Sequence, residues 1–267
     1  MKKFMASLNV KSYLFLLTVA AGGMWTMVNA ALVTDAMYFQ YGDDNGSIAK
    51  GYWAVSGGSG LSVEANSGSF NWAARIGESS GNRYALVLPF QLPDLGVGGS
   101  FTSADLQISP YSKTNSVNVS IDLYGLDHAD NSLNVTTADY YDGNADPENT
   151  MIQNDIIMPS TGTYYRAQLH TDASGDAALV TWLNEIYQNG SNAGKYIYLR
   201  LSPDETTVPI DESMEGYYQI LTNNDPTAST PSARISYEAI AVPEVESLWL
   251  VGLAGVVMLM VCRRGKN

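Results

Sequence analysis

The chain has 267 residues, with 14 Lys and Arg against 27 Asp and Glu, a formal charge of −13 at pH 7. That balance argues against nucleic acid and anionic lipid as partners, because a strongly acidic surface repels both. The single cysteine, Cys262, lies in an apolar terminal run, so no internal disulfide is available to the rest of the chain.

In chain order, Lys2, Lys3 and Lys11 precede an apolar stretch from Tyr13 to Ala21, and Val28-Asn29-Ala30 supplies small residues before a cleavage point. This pattern predicts a signal peptide over residues 1–30, removed by signal peptidase after Ala30. The 211 residues from Ala31 to Ala241 then carry eight Lys and Arg against twenty-five Asp and Glu, a net charge of −17. That length suits one large domain, no linker or internal repeat divides it, and the charge favours solubility outside the cell and divalent cations.

Strand signals dominate this segment. Tyr84–Phe90 and Ser103–Ser109 flank a turn-rich connector, Leu92–Ser100, and Val117–Tyr124 alternates apolar and polar residues as a half-buried strand does. Lys195–Leu201 and Ala233–Ile240 repeat the pattern, with Gly, Asn, Asp and Pro clusters between. Ala145–Thr150 and Pro203–Glu215 read as loops. One helix is expected over Ala177–Gln188, capped by Asp176 and stopped by Gly190, with Leu179, Val180, Leu183, Ile186 and Tyr187 on its apolar face. Trp182 reads as core. The expected fold is a mainly β antiparallel sandwich over residues 31–241 with one short helix.

The stretch Arg83-Tyr-Ala-Leu-Val-Leu-Pro-Phe90, the Leu-Pro connector and Phe101-Thr-Ser-Ala-Asp-Leu-Gln-Ile108 resemble the opening of DNRLRE-type domains. Ala178–Trp182 and Leu199–Leu201 are similar to their closing helix and strand, although Phe101 replaces a Val or Ile and the Asp-Trp motif is missing. The resemblance covers about half the domain. It implies a jelly-roll β-sandwich of a secreted protein, in a family with some carbohydrate-binding members.

Two constellations suggest binding chemistry. Asp139, Asp142, Asn144, Asp146 and Glu148 set oxygen ligands along one short loop, the donor type that calcium takes in groups of about six to eight. Neither the glycine after Asp146 nor the twelfth-position Glu of an EF-hand is present, since Gln153 stands there, so a structural calcium in a sandwich loop is the form expected. Seventeen tyrosines and five tryptophans invite sugar stacking, with Tyr52, Trp53, Trp72, Tyr141, Tyr165 and Tyr218 as candidates. In adjacent aromatic pairs on a strand, one member faces in and the other out. Catalytic signals are thin. His128 and His170 each neighbour an Asp, but no Gly-x-Ser-x-Gly motif appears, and two histidines without domain cysteines argue against a usual zinc site. A non-enzymatic protein is expected.

The terminal residues 242–267 form a three-part tail: Val242-Pro243-Glu244-Val245, an uncharged run Leu248–Cys262, then Arg263, Arg264 and Lys266. Fifteen helical residues span about 22 Å against a bilayer core of roughly 30 Å, which places the basic residues at the interface as a stop. The tail resembles the PEP-CTERM signal of Gram-negative bacteria, with Val245 where the family usually has a second proline. That resemblance implies recognition by exosortase, a membrane transpeptidase, in species that make extracellular polysaccharide. The expectation is an exported, inner-membrane-anchored precursor that passes to the periplasm, outer surface or matrix and binds or organises exopolysaccharide there. A passive surface-coat or adhesive protein is the alternative, and a polysaccharide hydrolase ranks lower.

Overall fold

The computed structural model describes residues 30–39, 53–57, 62–65, 73–79, 82–113, 119–140, 146–158, 168–204, 216–221 and 233–242. Residues 1–29 of the expected signal peptide and the tail from residue 243 lie outside them. Among the described residues no helix is long and apolar enough to cross a membrane. Leu32–Ala241 forms one compact unit, mainly β.

Two sheets build it. Strands β1 (Ala31–Tyr38), β6 (Ser100–Ile108), β10 (Leu169–His170) and β13 (Arg234–Ala241) form a four-stranded sheet in the order β1-β13-β6-β10. The larger sheet runs β7 (Pro110–Lys113), β12 (Gly216–Leu221), β4 (Ala73–Ser79), β5 (Asn82–Gln91), β11 (Tyr196–Pro203), β8 (Ile121–Asp130), β9 (Thr150–Ile157). Beside β5 it also carries the pair β2 (Trp53–Gly57) and β3 (Ser62–Ala65). Every pairing in this larger sheet is antiparallel.

The expected strands Tyr84–Phe90, Ser103–Ser109, Lys195–Leu201 and Ala233–Ile240 correspond to β5, β6, β11 and β13. The stretch Val117–Tyr124 does not behave as expected. Strand β8 starts at Ile121 and runs on to Asp130, and Ile121 to Leu126 are buried on both faces. Its alternation reflects two differently composed interiors, one apolar and one partly polar, in place of core and solvent.

A continuous core joins both sheets to α1 (Ala173–Tyr187). Leu86, Leu88 and Phe90 of β5, Leu199 and Leu201 of β11, and Leu106 and Ile108 of β6 meet Leu179, Trp182, Leu183 and Ile186 of α1. Burying such side chains contributes on the order of 1.5–3 kcal/mol each. The helix begins one turn before the expected site: Asp172 is the N-cap and accepts from Ser174 N at 2.9 Å and Gly175 N at 2.8 Å. Satisfying two amides outweighs the weak helix preference of Ser174 and Gly175. Asp176 lies inside the first turn, where Thr171 Oγ1 donates to it. Gln188 and Asn189 then adopt left-handed backbone before Gly190, so the helix stops at Tyr187, three residues before that glycine.

Two features anchor α1 to β6. Next to the register shift at Thr102 of β6, the Asn184 side chain accepts from Phe101 N at 2.8 Å and donates to Phe101 O at 3.0 Å. The Phe101 ring makes edge contacts with Tyr187 and Tyr237, centroids 5.9 and 5.3 Å apart. On the opposite flank Trp182 lies over Gly125 of β8, where a β-carbon would come within 2.4 Å of the indole.

Candidate functional site

Alternation along β5, β8 and β11 sends Val87, Leu126 and Tyr198 to the face turned away from the main core, where they form a second cluster with Val135. Residues after β8 fold back over this face, with Val135 buried and Tyr140 packed against the cluster. Strand β11 also brings Arg200 here, and its side chain is fully buried. Its guanidinium donates to Ser202 Oγ at 2.7 Å, to Asp139 O at 2.9 Å and to Asp146 Oδ2 at 2.5 Å. The Tyr124 ring lies 5.1 Å below it, within cation–π range.

Asp146 is fully engaged. Besides Arg200 it accepts from Asn149 Nδ2 at 2.7 Å and Glu148 N at 2.9 Å. Burial alone would raise its pKa, but these donors, Arg200 first, hold it below the ordinary carboxylate value. Asp139 is turned to local use as well: its Oδ2 accepts from Thr136 N at 2.6 Å in a capping box, and its Oδ1 lies 3.6 Å from His128 Nε2. The residues expected to form a calcium loop thus divide. Asp139 and Asp146 fasten the segment to Arg200 and its own turn, Glu148 is exposed, and Asp142 and Asn144 lie outside the described residues. What Asp146 serves in this fold is a buried guanidinium.

His128 stacks on Tyr198 with centroids 4.8 Å apart, and the Tyr198 hydroxyl accepts from Asn134 N at 3.1 Å and donates toward Ser132 O at 3.2 Å. Burial, chiefly, pushes the Tyr198 phenol up to about 12. Asp127, the sequence neighbour of His128, is bonded by Thr150 Oγ1 instead. On the four-stranded sheet His170 Nδ1 lies 2.8 Å from Asp105 Oδ2, with both side chains partly exposed.

A further group of carboxylates sits at the edge of the covered face. Asp122 of β8, Asp155 of β9 and Asp204, just past β11, each bring a carboxylate oxygen within 4.8 Å of the others. Strand register explains the meeting. Asp122 pairs with Ser202, and Asp204 N donates to Ser120 O at 2.8 Å, so Asp204 continues the face on which Asp122 lies. Between the pairs Ile121↔Ile157 and Leu123↔Gln153 the ladder is bulged on the β9 side. Within the bulge Asp155 takes a φ of 54° and points its amide at Asp122 Oδ1, 2.8 Å away. Asp122 is fully buried and its Oδ2 has no hydrogen-bond partner. The Tyr124 hydroxyl, near enough to ease the Asp122 charge slightly, makes no well-formed hydrogen bond either. Burial first, then the neighbouring Asp204 and Asp155 charges, push the Asp122 carboxyl up to about 6, against the pull of the Asp155 amide. Asp204 is raised by burial and by Asp155. Asp122 in turn adds to the burial that lifts the Tyr124 phenol to about 12.

Of the aromatic candidates, Tyr218 is corrected by its position. It is a fully buried core residue whose hydroxyl donates to Val119 O at 3.1 Å, so its ring cannot meet a sugar. The alternation in β12 turns its neighbour Tyr217 the other way, with the Arg75 guanidinium 4.7 Å from the ring centroid. Trp53 belongs to β2, opposite Val87 of β5, and Tyr52, Trp72, Tyr141 and Tyr165 lie outside the described residues. Trp182 is core, as expected. Sequence reasoning missed Arg200, Asp122, Asp155 and Asp204. The only signal for Arg200 was a lone cation within the apolar strand Tyr196–Pro203.

Compared with protein-family models and with curated proteins, the chain matches none.

Proposed function

We propose that this is an exported, non-catalytic protein of jelly-roll type, held at the envelope by its C-terminal tail, that binds or organises extracellular polysaccharide. The folded unit fits between the two processing signals read in the sequence: β1 begins at Ala31, directly after the expected cut, and the compact unit ends at Ala241, directly before Val242-Pro243-Glu244-Val245. The observation that carries the binding reading is a flat row turned away from the core on β7, β12 and β4. Ser112, Gln219 and Arg75 stand side by side across three strands, Ser112 Oγ donates to Gln219 Oε1, and Tyr217 lies next in β12 with Arg75 against its ring. An aromatic face with flanking amide, hydroxyl and guanidinium groups is the chemistry that receives a pyranose: C–H groups on the ring, hydroxyls on the polar neighbours. The tail, through Pro243 and Glu244 with Arg263, Arg264 and Lys266, supplies location and recruits an exosortase-type enzyme.

A glycan array probed with the full-length chain and with Tyr217→Ala tests the reading. Binding to polysaccharide that falls at least tenfold in the variant supports it. No binding by either chain favours a passive coat component, and equal binding by both removes Tyr217 from the reading. Turnover of the polysaccharide would point to a hydrolase.

A further inference from the structure

We propose that Asp122, Asp155 and Asp204 hold a calcium ion that ties β8, β9 and the end of β11 together. This site is independent of the sugar-binding reading and uses none of the acids of the loop Asp139–Glu148.

Three observations converge. The first is convergence itself: three carboxylates from β8, β9 and the segment just past β11 bring oxygens no more than 4.8 Å apart, and among the described residues no Lys, Arg or His pairs with any of them. Oxygens at that spacing fit around one ion with ligand distances of about 2.3–2.6 Å. The second is independent of the acid count. Asp122 is completely buried, yet its Oδ2 has no well-formed hydrogen bond. Buried polar atoms in folded proteins are almost always satisfied, and an oxygen that faces two further carboxylates is one that a cation satisfies. A cation also relieves the repulsion among the three carboxylates, which a water alone would leave in place. The third is the contrast with Arg200, where the same face supplies a buried carboxylate with a full set of donors.

The donor set selects the ion. All three side-chain ligands are carboxylates, without imidazole or thiolate, which suits hard cations and not zinc or copper. Two of the three, Asp155 and Asp204, are only half-buried, so solvent can complete a coordination sphere of six to eight. The β9 bulge gives an irregular arrangement, which calcium tolerates and the strict octahedron of magnesium does not. With an ion bound, edge strand β9 is fastened to β8 and β11 by more than its interrupted ladder.

The test uses the full-length chain in detergent, treated with chelator and transferred to metal-free buffer. Calorimetric titration with calcium chloride is expected to give one equivalent of heat that disappears in Asp155→Asn, Asp204→Asn and Asp122→Asn. At about a hundredfold excess over Kd, the melting temperature should rise by roughly 5–10 °C in the wild type and by less than 2 °C in the variants. The Asp122→Asn chain should melt no lower than the calcium-free wild type, which separates loss of the ion from loss of the fold. An absence of calcium binding at millimolar concentration overturns the proposal. So does binding that survives all three changes, or that is lost instead in Asp142→Asn. A magnesium response equal to that of calcium overturns the choice of ion.

Discussion

Asp146 and Asp122 are buried carboxylates at the same covered face of the larger sheet, and their surroundings are opposite. Asp146 meets Arg200, Asn149 and a backbone amide, and its pKa is depressed. Asp122 receives one amide, faces Asp155 and Asp204, and its carboxyl is raised to about 6. Burial is common to both, so it is the partners that decide whether a buried charge holds the fold or burdens it. The paired site is complete within the chain, and the unpaired one is complete only with something added. Tertiary contacts of one kind are therefore structural, and of the other kind are invitations to a ligand.

The sharpest way to break this contrast is to remove the cation from the paired site. Arg200→Met should cost about 3–5 kcal/mol in urea unfolding, because it leaves Asp146 buried without its partner. Adding Asp146→Asn should recover a large part of that loss. If the double variant is no more stable than Arg200→Met, the guanidinium acts mainly through packing on Tyr124 and the contrast fails.

The unpaired site should reveal itself through pH. Asp122 keeps its proton in the fold up to about pH 6, whereas the unfolded chain releases it near the ordinary carboxyl value of 3.8. Between those limits the native state binds more protons than the unfolded state, so this group makes stability fall as pH rises. At about 1.36 kcal/mol per pKa unit, the loss across the window is on the order of 3 kcal/mol. Asp146 works in the other direction: its stabilisation is present above the unfolded value and fades as pH drops through its depressed folded pKa. Denaturant melts in chelator at pH 4 to 7, with Asp122→Asn subtracted from the wild type, isolate the first effect. Asp155, Asp204 and Tyr124 are the titratable groups that face it. A difference that stays flat, or that rises with pH, contradicts the assignment of an uncompensated charge.

The apolar face obeys packing in place of pairing. Gly125→Ala would drive a methyl into the Trp182 indole, and a loss of about 1–3 kcal/mol is expected in the same unfolding assay. A neutral result would mean that the helix slides freely on β8. Asp172 offers a third setting for a carboxylate, exposed and bonded to two helix amides. Asp172→Ala should cost about 1 kcal/mol, the smallest of these effects, because water can replace much of the cap.

Parts of this architecture were legible beforehand for plain reasons. Tyr84–Phe90 and Lys195–Leu201 are short, strongly apolar and bounded by turn residues, and they became the central strands β5 and β11. The α1 body was readable from the spacing of Leu179, Leu183 and Ile186, while its start was not, since the value of Asp172 as a cap depends on which amides need a partner. Strands β1, β2, β3, β4, β7, β9, β10 and β12 were not singled out. Several of them, such as β7 and β10, are two to four residues long and carry little periodicity. The density of acids at Asp139–Glu148 suggested a metal loop, yet Asp146 answers Arg200, a residue more than fifty positions away that no local pattern links to it.

By itself, then, the order of residues determined an acidic mainly β chain with one helix and no internal disulfide, because periodicity, turn chemistry and charge act over a few neighbouring positions. Only the folded arrangement decided which tyrosine of the pair 217–218 faces outward, which acid Arg200 neutralises, and that Asp122, Asp155 and Asp204 converge. Those outcomes depend on strand register and on a bulge in β9, and register is set by the whole sheet.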